Sequence, residues 1–158
     1  MDIGDLQKRY ERLFGNEPTA SGKLEELEKL LDLRLPDDLR SISRFYSGGM
    51  IGRKSLNSIS PTGPATNIGE ATVRFRKMAQ IPESMVVLAE LDDSFIVLDA
   101  YPPPDTPAVY WCDSGDVFNL SDRSMLRSPQ TWRSYSDFFE SLLDDEEGYR
   151  RQHNFSES

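Results

Sequence analysis

The chain has 158 residues, 37% apolar and 28% charged, and its 27 acids against 18 bases leave a formal charge of −9. That length suits one domain, able to bury about 70% of its unfolded surface without disulfides or metals. The acidic balance speaks against nucleic acid or an acidic membrane as partner, and the lone Cys112 excludes an internal disulfide.

No stretch reaches the ~18 apolar residues of a membrane span, and MDIGDLQKRY lacks the apolar core of a signal peptide. The expected location is therefore cytoplasmic. Two matches to the N-glycosylation pattern, at Asn119 and Asn154, are read as chance.

Taken in order, Leu6, Tyr10, Leu13 and Phe14 recur at helical spacing and predict a first helix from about Asp5 to Phe14, stopped by Gly15. Pro18 and Ser21 mark a loop. A second helix opens near Lys23, with Leu24, Leu27, Leu30 and Leu31 on one face and Glu25, Glu26, Glu28 and Lys29 on the other. Leu35-Pro36 breaks the chain and restarts it, with Pro36 suited to the first helical position and Asp37-Asp38 to the positive end of the helix dipole. Leu39, Ile42, Phe45 and Tyr46 form the apolar face of this third helix, and Gly48-Gly49 ends it. Ile51 to Gly63 reads as a loop or a short strand. Asn67 and Glu70 resemble a capping box, predicting a fourth helix over 68–79.

Short β-rich runs follow at Met85–Leu91, Ser94–Asp99, Ala108–Cys112 and Asp116–Leu120, separated by Asp92-Asp93, a triple proline and Asp113-Ser114-Gly115. They predict an antiparallel meander. Ser134 then caps a last helix whose apolar face runs from Trp132 to Leu143; Gly148 is expected to end it, leaving 149–158 as a flexible tail. No internal repeat or linker divides the chain, so a single domain over 1–158 is expected, with its core at about 24–143.

Charge is uneven along the chain. Residues 78–122 hold nine acids and no Lys or Arg, while the remainder carries 18 acids and 18 bases. The net charge thus belongs to the predicted meander. Such a block attracts a basic protein surface and steers its approach; read more plainly, it is a solvated face that keeps the protein soluble.

Catalytic constellations are scarce. The one histidine, His153, falls in the expected tail, and Cys112 sits in a strand as a small buried hydrophobe. One His and one Cys cannot build the usual zinc sites. Ser21-Gly22-Lys23 lacks the first glycine and the final Ser or Thr of a phosphate loop. Asp92-Asp93 and Asp113–Asp116 could pair as carboxylates or hold a cation, but aspartates at hairpin turns form the turn. Trp111 and Trp132 read as core. No enzyme, cofactor or metal site is expected.

Leu24-Glu25-Glu26-Leu27-Glu28, then Leu35-Pro36-Asp37-Asp38-Leu39-Arg40, then Phe45-Tyr46-Ser47-Gly48-Gly49 resemble the opening signature of the SUKH superfamily, the Smi–Knr family. Phe95 to Asp99 is similar to its strand ending in aspartate, Val109-Tyr110-Trp111 to the next strand, and Ser134 to Leu143 to its final helix. Asp32 departs from the glycine usual before the Leu-Pro step, Ser47 from the commoner asparagine, and Asp92-Asp93 from a glycine-containing turn.

The resemblance implies an α+β fold, an antiparallel or mixed sheet packed against several helices. It also implies a non-catalytic role: an immunity protein that neutralises a cognate toxin, often a nuclease, or a regulatory scaffold of the Smi–Knr type. Under the immunity reading, Asp92, Asp93, Asp99, Asp113 and Asp116 are the expected partner-binding residues, facing the basic active-site surface of the toxin.

Overall fold

The computed structural model describes residues 2–121 and 128–153 and places a four-stranded antiparallel sheet between two helical layers. Helix α1 (Ile3–Phe14) starts two residues before the expected Asp5, because the Asp2 carboxylate accepts the Asp5 N–H at 2.8 Å. Helix α2 (Lys23–Leu31) follows Gly22 and closes on Asp32, whose φ of 52° is left-handed. Aspartate tolerates that region better than most residues, so Asp32 fills the glycine position of the signature without glycine.

The Leu-Pro step is held by α2 itself. The Glu28 carboxylate accepts the Leu35 N–H at 2.7 Å and pairs with Arg40 on helix α3 (Asp37–Ile42). Pro36 takes the N-cap rather than the first helical position, and the helix stops before Phe45 and Tyr46, which are buried from the turn beyond it. Their rings and those of Tyr10 and Phe139 form a knot with centroids 5.0–5.9 Å apart. At Gly48, φ is 121° and an added Cβ would lie 2.7 Å from the Ser58 Cα and 2.8 Å from the Asn57 carbonyl oxygen. Only glycine fits there.

A hairpin of β1 (Gly49–Ile51) and β2 (Lys54–Leu56) occupies the stretch read as loop or short strand. Helix α4 (Ile68–Ala79) has the predicted bounds, with the Asn67 side chain accepting the Glu70 N–H at 2.8 Å. Strands β3 (Met85–Glu90), β4 (Ser94–Asp99) and β5 (Val109–Asp113) form the meander. The fourth predicted strand, Asp116–Leu120, is not one. The Asp113 carboxylate accepts the Gly115 N–H at 2.9 Å and turns the chain into a 3-10 helix over Ser114–Asn119. The fourth place in the sheet goes to β6 (Gln130–Trp132).

Alternation along the strands divides the interior. Val86, Leu88, Ile96, Leu98 and Val109 face the large core built by α1, α2, α3 and the final helix α5 (Tyr135–His153). Met85, Val87, Phe95, Val97, Tyr110 and Cys112 face Ala71, Phe75 and Ala79 of α4, together with Val117 and Leu120. The result is the α+β arrangement expected, antiparallel throughout the four-stranded sheet.

Helix α5 runs past Gly148, where a stop was expected, and residues 149–153 are helical; 154–158 lie outside the described residues. One glycine costs a helix only about 1 kcal/mol, and the last turns are tied down. Arg150 donates to Glu146 at 2.8 Å and to the Leu13 carbonyl at 2.9 Å, and its guanidinium lies 4.9 Å from the Phe14 ring centre. Arg9 bridges Glu147 and Asp144, each at 2.7 Å.

Two outcomes follow from these contacts. Gly48→Ala should cost about 2–4 kcal/mol in urea unfolding, through backbone overlap plus strain. Gly49→Ala, with positive φ but open space around it, should cost only about 1–2 kcal/mol. Glu147 is held below the usual carboxylate value of 4.5, chiefly by its hydrogen bond from Arg9 and against the opposing effect of burial. A depressed carboxylate stabilises the fold fully above its unfolded value and loses that contribution as pH falls through its folded value. Glu147→Gln should therefore be less stable than wild type by about 1 kcal/mol at neutral pH. The gap should close below about pH 4 in melts taken across the acid range.

Candidate functional site

Three of the five predicted acids gather at one end of the sheet. The register pairs Ser94 with Asp113, which sets the β3–β4 turn beside the end of β5. The Ser114 N–H then donates to the Asp93 carbonyl at 3.0 Å and ties the two turns together. Asp92 and Asp93 are exposed and Asp113 is half-buried. The 3-10 helix that leaves Asp113 carries Phe118, an aromatic side chain 64% exposed to solvent.

The other two acids are placed differently. Asp99 pairs with Met85 at the opposite end of β4, is fully buried, and accepts the Tyr101 N–H at 3.0 Å. Asp116 is also buried and accepts from the Asn119 amide at 3.2 Å. Neither presents its carboxylate on the surface, so burial corrects the expectation that they face a partner. Glu90 is spoken for as well, with Arg74 donating to it at 2.5 and 2.9 Å. Asp122 lies outside the described residues.

Sequence reading missed Phe118. Its neighbours Val117 and Leu120 are buried, and a run read as a strand gave no reason to single out one exposed ring. The signal was the turn itself: Asp113-Ser114-Gly115 can lead into a helical turn as readily as into a hairpin.

The structure places the remaining residues singled out in the sequence as follows. Cys112 is buried and its thiol is pushed up to about 12, by desolvation first and by the charge of Asp116 second, so it is a poor nucleophile at neutral pH. The His153 ring meets Tyr149 edge-on, with Nδ1 2.8 Å from the Tyr149 carbonyl oxygen. Lys23 forms an ion pair with Glu26 at 3.0 Å. Trp111 donates to Ser94 at 2.9 Å and receives Lys54 over its face at 4.7 Å, and both tryptophans pack against the large core. Among the described residues, no group of three or more His, Cys, Asp or Glu is placed to hold a metal ion. None of their helices is long and apolar enough to cross a membrane.

The fold is that of a mixed α+β domain whose sheet ends in a group of acidic turns. The chain belongs to the SMI1/KNR4 family (SUKH-1), whose family model matches residues 18–145. No curated protein matches it.

The split between buried and exposed acids is testable by stability alone. Asp99→Ala should lower the unfolding free energy by about 1–3 kcal/mol, because the Tyr101 N–H loses its acceptor and the buried side chain leaves a gap. Asp92→Ala should stay within about 0.5 kcal/mol of wild type. Chemical denaturation of the two variants checks both values.

Proposed function

We propose that this chain is an immunity protein that binds a toxin, nuclease toxins included, through the sheet end formed by Asp92, Asp93 and Asp113. Membership of the SMI1/KNR4 family supports the class of function. The observation that carries the choice of surface is the junction of the β3–β4 turn and the end of β5, where two exposed acids and one half-buried acid converge and the 3-10 helix that carries exposed Phe118 departs.

The physical logic is occupation. A nuclease must present cations to the phosphate backbone of its substrate, and an acidic surface that covers those cations competes directly for them. Steering by the acidic end raises the encounter rate, while close charge pairs, once desolvated, hold the complex; truncating one partner of such a pair costs about 2–5 kcal/mol. Exposed Phe118, on the 3-10 helix that follows Asp113, supplies an apolar anchor of the kind on which interface energy concentrates. Asp99 and Asp116 take no part in this surface. Asp99 accepts the Tyr101 N–H at the far end of β4, and Asp116 accepts from Asn119 within the 3-10 helix.

The test is survival of cells producing a cognate toxin domain, sought in the genes that flank this one, with and without the immunity chain. The triple reversal Asp92→Lys, Asp93→Lys, Asp113→Lys should abolish protection while the thermal melt shows a folded protein. Phe118→Ala should weaken toxin binding by about tenfold or more. Full protection by the folded triple variant would sink the assignment of this surface.

A further inference from the structure

A second surface lies between α4 and α2, and its residues are arranged about a point of symmetry. A groove of about 600 Å³ is lined along α4 by Gly69, Glu70, Val73, Arg74, Lys77 and Met78, with Leu30 of α2 on the facing wall. Starting from Glu70, these positions follow the i, i+3, i+4, i+7, i+8 stripe by which one helix packs along another. Leu30 and Met78 are each 52% exposed, two of the five large apolar side chains left in solvent among the described residues. Both border this one groove.

We propose that this groove is the seat of a second copy of the chain, with the two α4 helices antiparallel about a two-fold axis between Val73 and Arg74. An isologous interface requires the facing positions to map onto themselves, and the six α4 positions from Gly69 to Met78 do so, with Leu30, Pro61 and Asn67 flanking them. The axis sets Glu70 opposite the partner's Lys77, and Lys77 opposite the partner's Glu70. It sets Val73 opposite the partner's Arg74, and Met78 opposite the partner's Gly69.

That last pairing has a shape argument. Gly69 has no side chain of its own, and an added Cβ would sit 2.7 Å from Leu30 Cδ2. Leu30 therefore closes down over α4 and forms a shallow apolar seat for an incoming methionine, a side chain that adapts to irregular gaps. The central arginines do not meet as free charges, because Arg74 donates to Glu70 at 3.1 Å and to Glu90 at 2.5 Å within its own chain. With one acid and two bases, the stripe also lies outside the surface that gives the chain its charge of −9, which would otherwise oppose self-association. The pairing is independent of the toxin reading and uses a different helix from the proposed toxin-facing turns.

The experiment is sedimentation equilibrium of the full chain and two charge variants. Wild type should show a concentration-dependent dimer. Glu70→Lys and Lys77→Glu each place like charges at both pairing positions and should weaken the dimer about tenfold or more. Mixed in equal amounts, the two variants regain opposite charges at every position and should form a heterodimer as tight as wild type. That rescue also shows that each variant is folded. A wild-type chain that stays monomeric to millimolar concentration would overturn the proposal and leave the groove to a helix of another protein. A dimer insensitive to both substitutions, or weakened singles without rescue on mixing, would overturn it equally.

Discussion

Strand β3 imposes the constraint on which the other elements depend. Met85 to Ala89 are all buried, yet β3 is the edge strand of the sheet, so its outward backbone groups have neither a neighbouring strand nor free access to water. Buried groups of that kind must find partners or cost about 1–3 kcal/mol each. They find them in side chains and in a foreign backbone. The Val87 N–H donates to the Thr72 hydroxyl at 2.9 Å, and the Asn57 side chain donates to the Val87 carbonyl at 3.1 Å. The Asn57 N–H donates to the Leu88 carbonyl at 2.8 Å. A register shift between Val87 and Ala89 accompanies these bonds, as a bulge at a covered edge does.

Those three bonds join elements that sequence separates. Thr72 lies in α4 and Asn57 just beyond β2, so one strand edge fixes a helix and a hairpin on the sheet. Gly48 is part of the same joint, since its missing Cβ lets the chain pass against Asn57 and Ser58. The closing glycines that mark the end of the α3 region are therefore required by a tertiary contact, not only by the end of a helix. Once β3 is anchored, β4 follows through its turn and β5 through the register that brings Asp113 to Ser94. The acidic sheet end is thus positioned by polar contacts made on the opposite side of β3.

Periodicity made most of this fold legible, and local hydrogen bonds account for the rest. The bounds of α4 are readable because Asn67 and Glu70 declare its start and the apolar stripe its face. Strands β3, β4 and β5 are readable because β-branched and aromatic runs are separated by turn residues. The 3-10 helix is not, since Val117-Phe118-Asn119-Leu120 has a strand's composition and only the Asp113 carboxylate on Gly115 decides against it. The last turns of α5 depend on Arg150 reaching Leu13 from the far end of the chain, a contact no window of sequence contains. The candidate site divides in the same way. That acids collect in 78–122 is a matter of counting, but which of them reach solvent depends on the hydrogen bonds each turn requires.

That division changes what the charge of the block means. Charge counted along a chain overstates the field at the surface wherever carboxylates serve as acceptors for their own backbone or pair with a neighbouring cation. Asp99 is buried on the Tyr101 N–H, Asp116 is buried beside Asn119, and Glu90 is engaged by Arg74. Of the block's exposed acids, Glu83 and Asp105 stand apart, while Asp92 and Asp93 are adjacent, with half-buried Asp113 stiffened by its bond to Gly115. A small group of carboxylates on paired, hydrogen-bonded turns loses less freedom on binding than the same charges spread along mobile loops. Recognition of a basic partner then depends less on the total charge of the chain than on the rigidity of two turns, and β3 supports them through its bonds to the uncharged side chains of Thr72 and Asn57.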